Sequence, residues 1–248
     1  MRRTAVGLAV ALSATVVTPT ALARRSATPR VGVMVAGRSA LLYPPATVSA
    51  RSTTLRVGGR RCAVAAGTSL AALDAFRRAG GPSFVLRDYG RCSARARDSS
   101  SLFVSQIGAE ANSGQDGWVY KVDGKLATTG AANTAGPFGD RRALRSGQRV
   151  LWFYCLMSSA GACQPTLSLS LSADRVPAAA MLSVKVSAED DQGNAQPANG
   201  ATVTLGSATA MTVDGVATLS APAAAGTYQV NASAAGAVQA FPQELTVT

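Results

Sequence analysis

Two stretches decide how this chain folds: Gly117-Trp118-Val119-Tyr120-Lys121-Val122-Asp123-Gly124 and, further on, Leu144-Arg145-Ser146-Gly147-Gln148-Arg149-Val150-Leu151-Trp152-Phe153-Tyr154. In the first, Trp118, Tyr120 and Val122 recur with period two, which sets them on one face of a strand, and Asp123-Gly124 is a tight hairpin dipeptide. The second has the same build: a glycine turn, then a strand whose Val150, Trp152 and Tyr154 share a face. Lys121 falls on the face opposite the rings and is expected in solvent.

Working outward, Val31, Val33 and Val35 alternate, Ala36-Gly37-Arg38 is a turn and residues 40–43 return, which reads as a hairpin. Residues 53–57 and 61–65 suggest further strands. Thr68 or Ser69 then caps a helix over residues 70–79, because Leu70, Leu73 and Phe76 fall at helical spacing and Gly80-Gly81-Pro82 stops it. Strands return at residues 84–86, 102–107, 117–122 and 149–154. One helix among several strands predicts an α+β class, with a β-grasp-like sheet curled over its one main helix. Asp74 on the helix and Asp140 in Gly136-Pro137-Phe138-Gly139-Asp140 read as cap or turn residues.

Beyond Pro165 the pattern changes to short strands alone. Leu167, Leu169 and Leu171 share one face, and Leu182, Val184 and Val186 repeat the period. About seven strands without a helical period predict an all-β immunoglobulin-like sandwich. The acidic loop Glu189-Asp190-Asp191-Gln192-Gly193-Asn194 lacks the spacing and closing glutamate of a calcium loop and reads as a solvated turn. No metal site is expected.

Charge divides the chain at the same place. Residues 24–164 carry 20 Lys or Arg against 7 Asp or Glu, a net of +13, whereas residues 165–248 carry 2 against 6, a net of −4. The shift after Gln164 predicts a domain boundary, giving a signal peptide at 1–23, a first domain at 24–164 and a second at 165–248. Arg2 and Arg3, the apolar run 5–17 and Ala21-Leu22-Ala23 are the three regions of a signal peptide. The run is shorter than the roughly 20 residues of a spanning helix, so no membrane span is expected after cleavage. The location expected is secreted or on the surface of a bacterial cell.

Four cysteines in an exported chain point to two disulfides. They permit three pairings; Cys62 with Cys92 and Cys155 with Cys163 are favoured because each pair flanks one local segment. The chain has no histidine, which excludes the Ser-His-Asp triad and the Cys-His pair. Ser-x-x-Lys, Gly-x-Ser-x-Gly and P-loop patterns are missing too, so no enzyme is expected.

The Gly-Trp-x-Tyr-x-Val-x-Gly segment, the Gly-x-x-Val-x-Trp-x-Tyr strand and Ser69-Leu70-Ala71-Ala72-Leu73-Asp74-Ala75 together resemble the transcobalamin C-terminal-like domain of bacterial secreted and surface proteins, over residues 30–164. The segments around residues 199–205, 214–219 and 225–230 resemble bacterial Ig-like and carboxypeptidase-regulatory-like domains, which commonly space or display another module. The first resemblance implies a non-catalytic β-grasp-like binding module whose ligand contacts are Trp118, Tyr120, Trp152 and Tyr154. The chain departs from that family at Ser146-Gly147-Gln148, where an acidic Gly-Asp turn is common, and lacks the large helical domain of the cobalamin carriers, so no cofactor is expected. The same four rings also suit a small sheet packed on its helix.

Two functions follow as expectations. One is recognition of a small ligand or envelope glycan through the aromatic strands. The other is a structural or adhesive role, with a basic surface of Arg91, Arg95, Arg97, Arg141 and Arg142 held on anionic wall polymers. Arginine in excess of lysine beside much alanine and glycine has a compositional explanation as well. Export argues against nucleic acid as the partner.

Overall fold

The computed structural model describes residues 28–248, so the expected signal peptide lies outside the described residues. The N-terminal half contains β1 (Arg30–Ala36), β2 (Leu41–Ser49), β3 (Thr53–Val57), β4 (Arg60–Val64), α1 (Ser69–Arg78), β5 (Phe84–Asp88), β6 (Leu102–Ile107), β7 (Glu110–Ala111), β8 (Gly117–Val122), β9 (Lys125–Leu126) and β10 (Arg149–Cys155). Its main sheet has the order β2-β1-β10-β8-β9, with β1 and β10 parallel and the other pairs antiparallel. A hairpin of β3 and β4 and a three-stranded sheet β5-β6-β7 stand apart from it.

Helix α1 forms where its sequence marks it. The Thr68 hydroxyl accepts from the Ala71 N–H at 3.2 Å, and Leu70, Leu73 and Phe76 are fully buried. Asp74, also buried, binds Arg77 at 2.8 Å and Arg78 at 3.1 Å, one turn further on. The Asp123-Gly124 turn has positive φ at both residues, 47° and 85°. Asp123 then accepts from the Arg149 N–H at 2.8 Å and from Gln148 Nε2 at 2.8 Å, tying the two aromatic strands together at one end. Trp152 lies opposite Tyr120 and Tyr154 opposite Trp118.

The C-terminal half contains β11 (Thr166–Leu171), β12 (Arg175–Val176), β13 (Met181–Glu189), β14 (Ala195–Pro197), β15 (Thr202–Leu205), β16 (Ala208–Met211), β17 (Val216–Ser220), β18 (Gly226–Ser233) and β19 (Gln243–Val247). One sheet joins β11, β13, β14 and β17, and the other has the order β12-β19-β18-β15-β16. The alternating Leu167, Leu169, Leu182, Val184 and Val186 of the first sheet meet Val203, Leu205, Val230 and Leu245 of the second in one apolar cluster.

These elements correct the expected class. The described chain is mostly β, with one ten-residue α-helix beside nineteen strands in five sheets, not α+β with a β-grasp-like sheet and an Ig-like sandwich. The strands expected to curl over α1 as one sheet divide among three. The helix is too short to cover them all, so much of the N-terminal sheet is closed by other strands and loops. Among the described residues no helix is long and apolar enough to cross a membrane.

A second correction concerns Lys121, which is 1 % exposed. Strand β10 is buried on both faces. Val150, Trp152 and Tyr154 join the core around α1, while Leu151, Phe153 and Cys155 pack with Met34, Val238 and Phe241, the last two from the C-terminal half. The C-terminal half therefore covers the face on which Lys121 lies. Its Nζ donates to Thr166 Oγ1 at 3.1 Å, the Glu189 carbonyl at 3.2 Å and the Asp190 carbonyl at 2.7 Å, and lies 3.7 Å from Asp191 Oδ1. Burial pushes the ammonium below its ordinary pKa, opposed by Asp191, Glu189 and Asp190.

The acidic loop is exposed at Asp190, Gln192, Gly193 and Asn194, as a solvated turn should be, and its inner side adds a socket for Lys121. Asp191 Oδ2 accepts from the Cys163 N–H at 3.0 Å and its carbonyl accepts from the Leu126 N–H at 3.0 Å. Asp190 closes the turn on Gln192 and Asn194. Gly124 suits the turn through its φ of 85°, and the Glu189 carboxylate lies over it.

Candidate binding surface

The four aromatic residues of β8 and β10 meet as neighbours, but inside the protein: Trp118 is 3 %, Tyr120 6 %, Trp152 2 % and Tyr154 0 % exposed. Tyr120 and Trp152 lie 5.0 Å apart between ring centroids, and Trp118 and Tyr154 pack edge to face at 5.7 Å. Backbone carbonyls of β7 and of the loop after β9 accept from their polar tips. Trp118 Nε1 donates to the Glu110 carbonyl at 2.7 Å, the Tyr120 hydroxyl to Thr129 at 3.0 Å and the Tyr154 hydroxyl to Ala111 at 3.1 Å. Arg38 Nη2 donates to the Tyr154 oxygen at 2.6 Å. Burial raises the Tyr120 pKa above its ordinary value. The rings therefore act as core and do not offer an open platform.

Both disulfides pair as favoured, Cys62 with Cys92 and Cys155 with Cys163. The first gathers charge. It joins β4 to the loop after β5, where the Ala63 N–H donates to the Ser93 carbonyl at 2.8 Å and the Ser99 hydroxyl to the Ala63 carbonyl at 2.6 Å. Arg91, Arg95 and Arg97, all exposed, are thereby carried beside the β3–β4 hairpin. In that hairpin Arg56 and Arg61 stand directly opposite each other and both are exposed. Like charges in register destabilise a strand pair, so this arrangement favours an anion close by. Arg141 and Arg142 are exposed too, but on a different loop, where Asp140 accepts from the Arg142 N–H at 3.1 Å and lies 3.7 Å from its Nε. Asp140 is the turn residue its sequence suggested.

Asp88 shapes the arginine loop. Its carboxylate accepts from the Cys92 N–H and the Gly90 N–H, each at 3.0 Å, and from the Ser101 hydroxyl at 3.3 Å, with Arg60 at 3.9 Å. The Cys92 bond first, then those from Gly90 and Ser101 and the charge of Arg60, hold its pKa below the ordinary carboxylate value against desolvation. A carboxyl depressed in the fold adds stability above its unfolded pKa, about 3.9. That stability is lost as pH falls through the lower, folded value. The protection of the Gly90 and Cys92 amides, taken as exchange relative to the free-peptide rate, is therefore expected to fall in acid below about pH 4 in the native chain. In Asp88→Asn protection should already be low at neutral pH and vary little with pH; an unchanged profile would show that the carboxylate does not hold the loop.

Sequence reasoning missed the open aromatic surface, which lies on β5 and β6. Phe84 and Leu86 point to the core, so Val85, Arg87 and Tyr89 emerge together on the solvent side. Arg87 sits opposite Phe103 across the strand pair. Tyr89 is 70 % and Phe103 40 % exposed, with their rings 5.9 Å apart. A groove of about 500 Å³ runs from these residues to the polar turn of Asn112, Gln115 and Asp116. Among the described residues Arg87 forms no ion pair. The signal was present in the alternation of residues 84–89, which continues past Leu86.

Such a groove can stack the face of a sugar ring on the aromatic pair while Arg87 binds a carboxylate or phosphate bidentately. No known protein family matches this chain, and no curated protein matches it in sequence.

Proposed function

We propose that this is a secreted, non-catalytic protein of the bacterial cell envelope that binds an acidic glycan through the Tyr89–Phe103–Arg87 groove. The single observation that carries this reading is the solvent-facing ring pair beside an arginine that forms no ion pair among the described residues. Exposed neighbouring aromatics cost solvation unless a ligand covers them. The disulfide-stapled arginines continue the positive surface and extend the contact along a polymer. The two disulfides suit an oxidising compartment. The resemblance of residues 30–164 to transcobalamin C-terminal-like modules also supports binding over catalysis.

Affinity chromatography on polygalacturonate, dextran and polyphosphate separates the alternatives. Polygalacturonate should retain the protein in a salt-sensitive way and neutral dextran should not. Tyr89→Ala and Phe103→Ala should each weaken polygalacturonate binding about tenfold, and Tyr89→Ala, whose ring is 70 % exposed, should leave stability unchanged. Arg87→Gln should do the same. Equal retention on polyphosphate, with no effect of Tyr89→Ala, would reduce the surface to a plain charge patch and sink the glycan reading.

A further inference from the structure

A cleft of about 930 Å³ opens between the two halves and shares no lining residue with the glycan groove. That volume lies toward the upper end of the roughly 300–1,000 Å³ of small-molecule sites, so it suits a guest of a few linked units. One wall is β2, the edge strand of the main sheet. Every residue from 41 to 47 borders the cleft, whereas a hollow over one face of a strand would meet every second residue; the cleft therefore follows the sheet's free edge. Pro44 and Pro45 carry no N–H, which leaves that part of the edge with carbonyl acceptors alone. The facing wall is polar. Val230 and Leu245 point into the C-terminal core, so Gln229 and Asn231 on β18 and Glu244 on β19 emerge together toward the cleft.

Two opposite charges line this cleft without meeting each other. Arg149 is held over the Phe241 ring, its guanidinium carbon 5.6 Å from the centroid, and Gln229 Nε2 donates to Glu244 Oε1 at 3.2 Å. Both charged side chains are exposed, and among the described residues neither forms an ion pair. Glu244 stands three residues beyond Phe241, a separation that extended chain spans in about 10 Å. We infer that the cleft binds a short zwitterionic peptide, about three residues long, with its carboxylate on Arg149 and its ammonium on Glu244. Its N–H groups donate to the proline carbonyls of the β2 edge, and a central apolar side chain lies against Pro45, Phe241 and Pro242. An anionic polymer would serve Arg149 but be repelled by Glu244, and a neutral sugar would leave both charges unserved. The edge prolines also keep a long strand from pairing along β2, which limits the guest to a few residues.

Calorimetric titration of the protein with alanyl-leucyl-alanine, its N-acetyl form and its C-terminal amide tests this, because each block removes one charge and leaves the rest. The free peptide should bind saturably and each blocked form about tenfold more weakly. In Glu244→Gln the free and N-acetyl peptides should bind alike while the amide stays weaker; in Arg149→Gln the free and amide forms should bind alike while the N-acetyl form stays weaker. Both positions are exposed, so neither substitution disturbs the core. No saturable binding of the free peptide, equal binding of all three forms by the native protein, or native discrimination persisting in both variants would each overturn the inference. Tyr89→Ala should bind alanyl-leucyl-alanine as the native protein does; a tenfold loss there would put the peptide in the glycan groove and overturn the inference as well.

Discussion

Replacing Cys62 and Cys92 together by alanine is expected to lower the stability of the N-terminal half by about 3–4 kcal/mol, the larger of the two disulfide effects. The pair closes a loop with a sequence separation of 30, and the chain entropy that such a link removes from the unfolded state grows with the logarithm of loop length. Cys155 and Cys163, separated by 8, should contribute about 2.6 kcal/mol by the same argument. Both cysteines of the first pair are buried, so alanine introduces no unpaired polar group. The functional effect should be equally specific. Without the link, the loop bearing Arg91, Arg95 and Arg97 is no longer fastened to the β3–β4 hairpin except by the Ser93 and Ser99 bonds. Salt-sensitive retention on polygalacturonate should weaken in the Cys62/Cys92 variant and persist in the Cys155/Cys163 variant. Urea titration of the two double variants, with retention measured on each, gives the comparison; equal losses would refute the loop-length argument.

Lys121→Met should be nearly as costly, about 3 kcal/mol, and its effect should fall on the seam between the halves. Methionine can occupy the aliphatic path of lysine but leaves Thr166, two carbonyls and the Asp191 carboxylate without the ammonium that serves them. A buried charge deprived of its partner is the dominant penalty, so Lys121→Met combined with Asp191→Asn should recover part of the loss. Calorimetry should show the C-terminal half separating into its own transition. Exchange of the Leu126 amide, which donates to the Asp191 carbonyl, should become faster. A single transition at the native midpoint in Lys121→Met would mean that the apolar contacts of Val238 and Phe241 hold the seam unaided.

Much of the local structure was legible residue by residue. The helix start at Thr68 or Ser69, the Asp123-Gly124 turn and the shared faces of the two aromatic strands follow from patterns a few residues long, because capping, turn geometry and period two are properties of a chain segment. The α+β class was misread for the opposite reason. How many sheets the strands form depends on pairing between distant segments, and a strand's own sequence does not name its neighbour. The site divided in the same way. The tryptophans were prominent because they are rare and large, yet the rings left in solvent are Tyr89 and Phe103, on strands whose pattern is weaker.

Read alone, the order of residues determined which side chains share a strand face, where the helix begins and ends, which cysteines are near each other and how charge is partitioned along the chain. Tertiary structure alone decided whether each face is wet. Met34, Leu151 and Phe153 are dry because Val238 and Phe241, far along the chain, cover them, and the same covering turns Lys121 from an expected surface charge into a buried peg. The physical reason is that alternation is set by backbone geometry within one segment, whereas burial removes area from water only when a second surface arrives to exclude it.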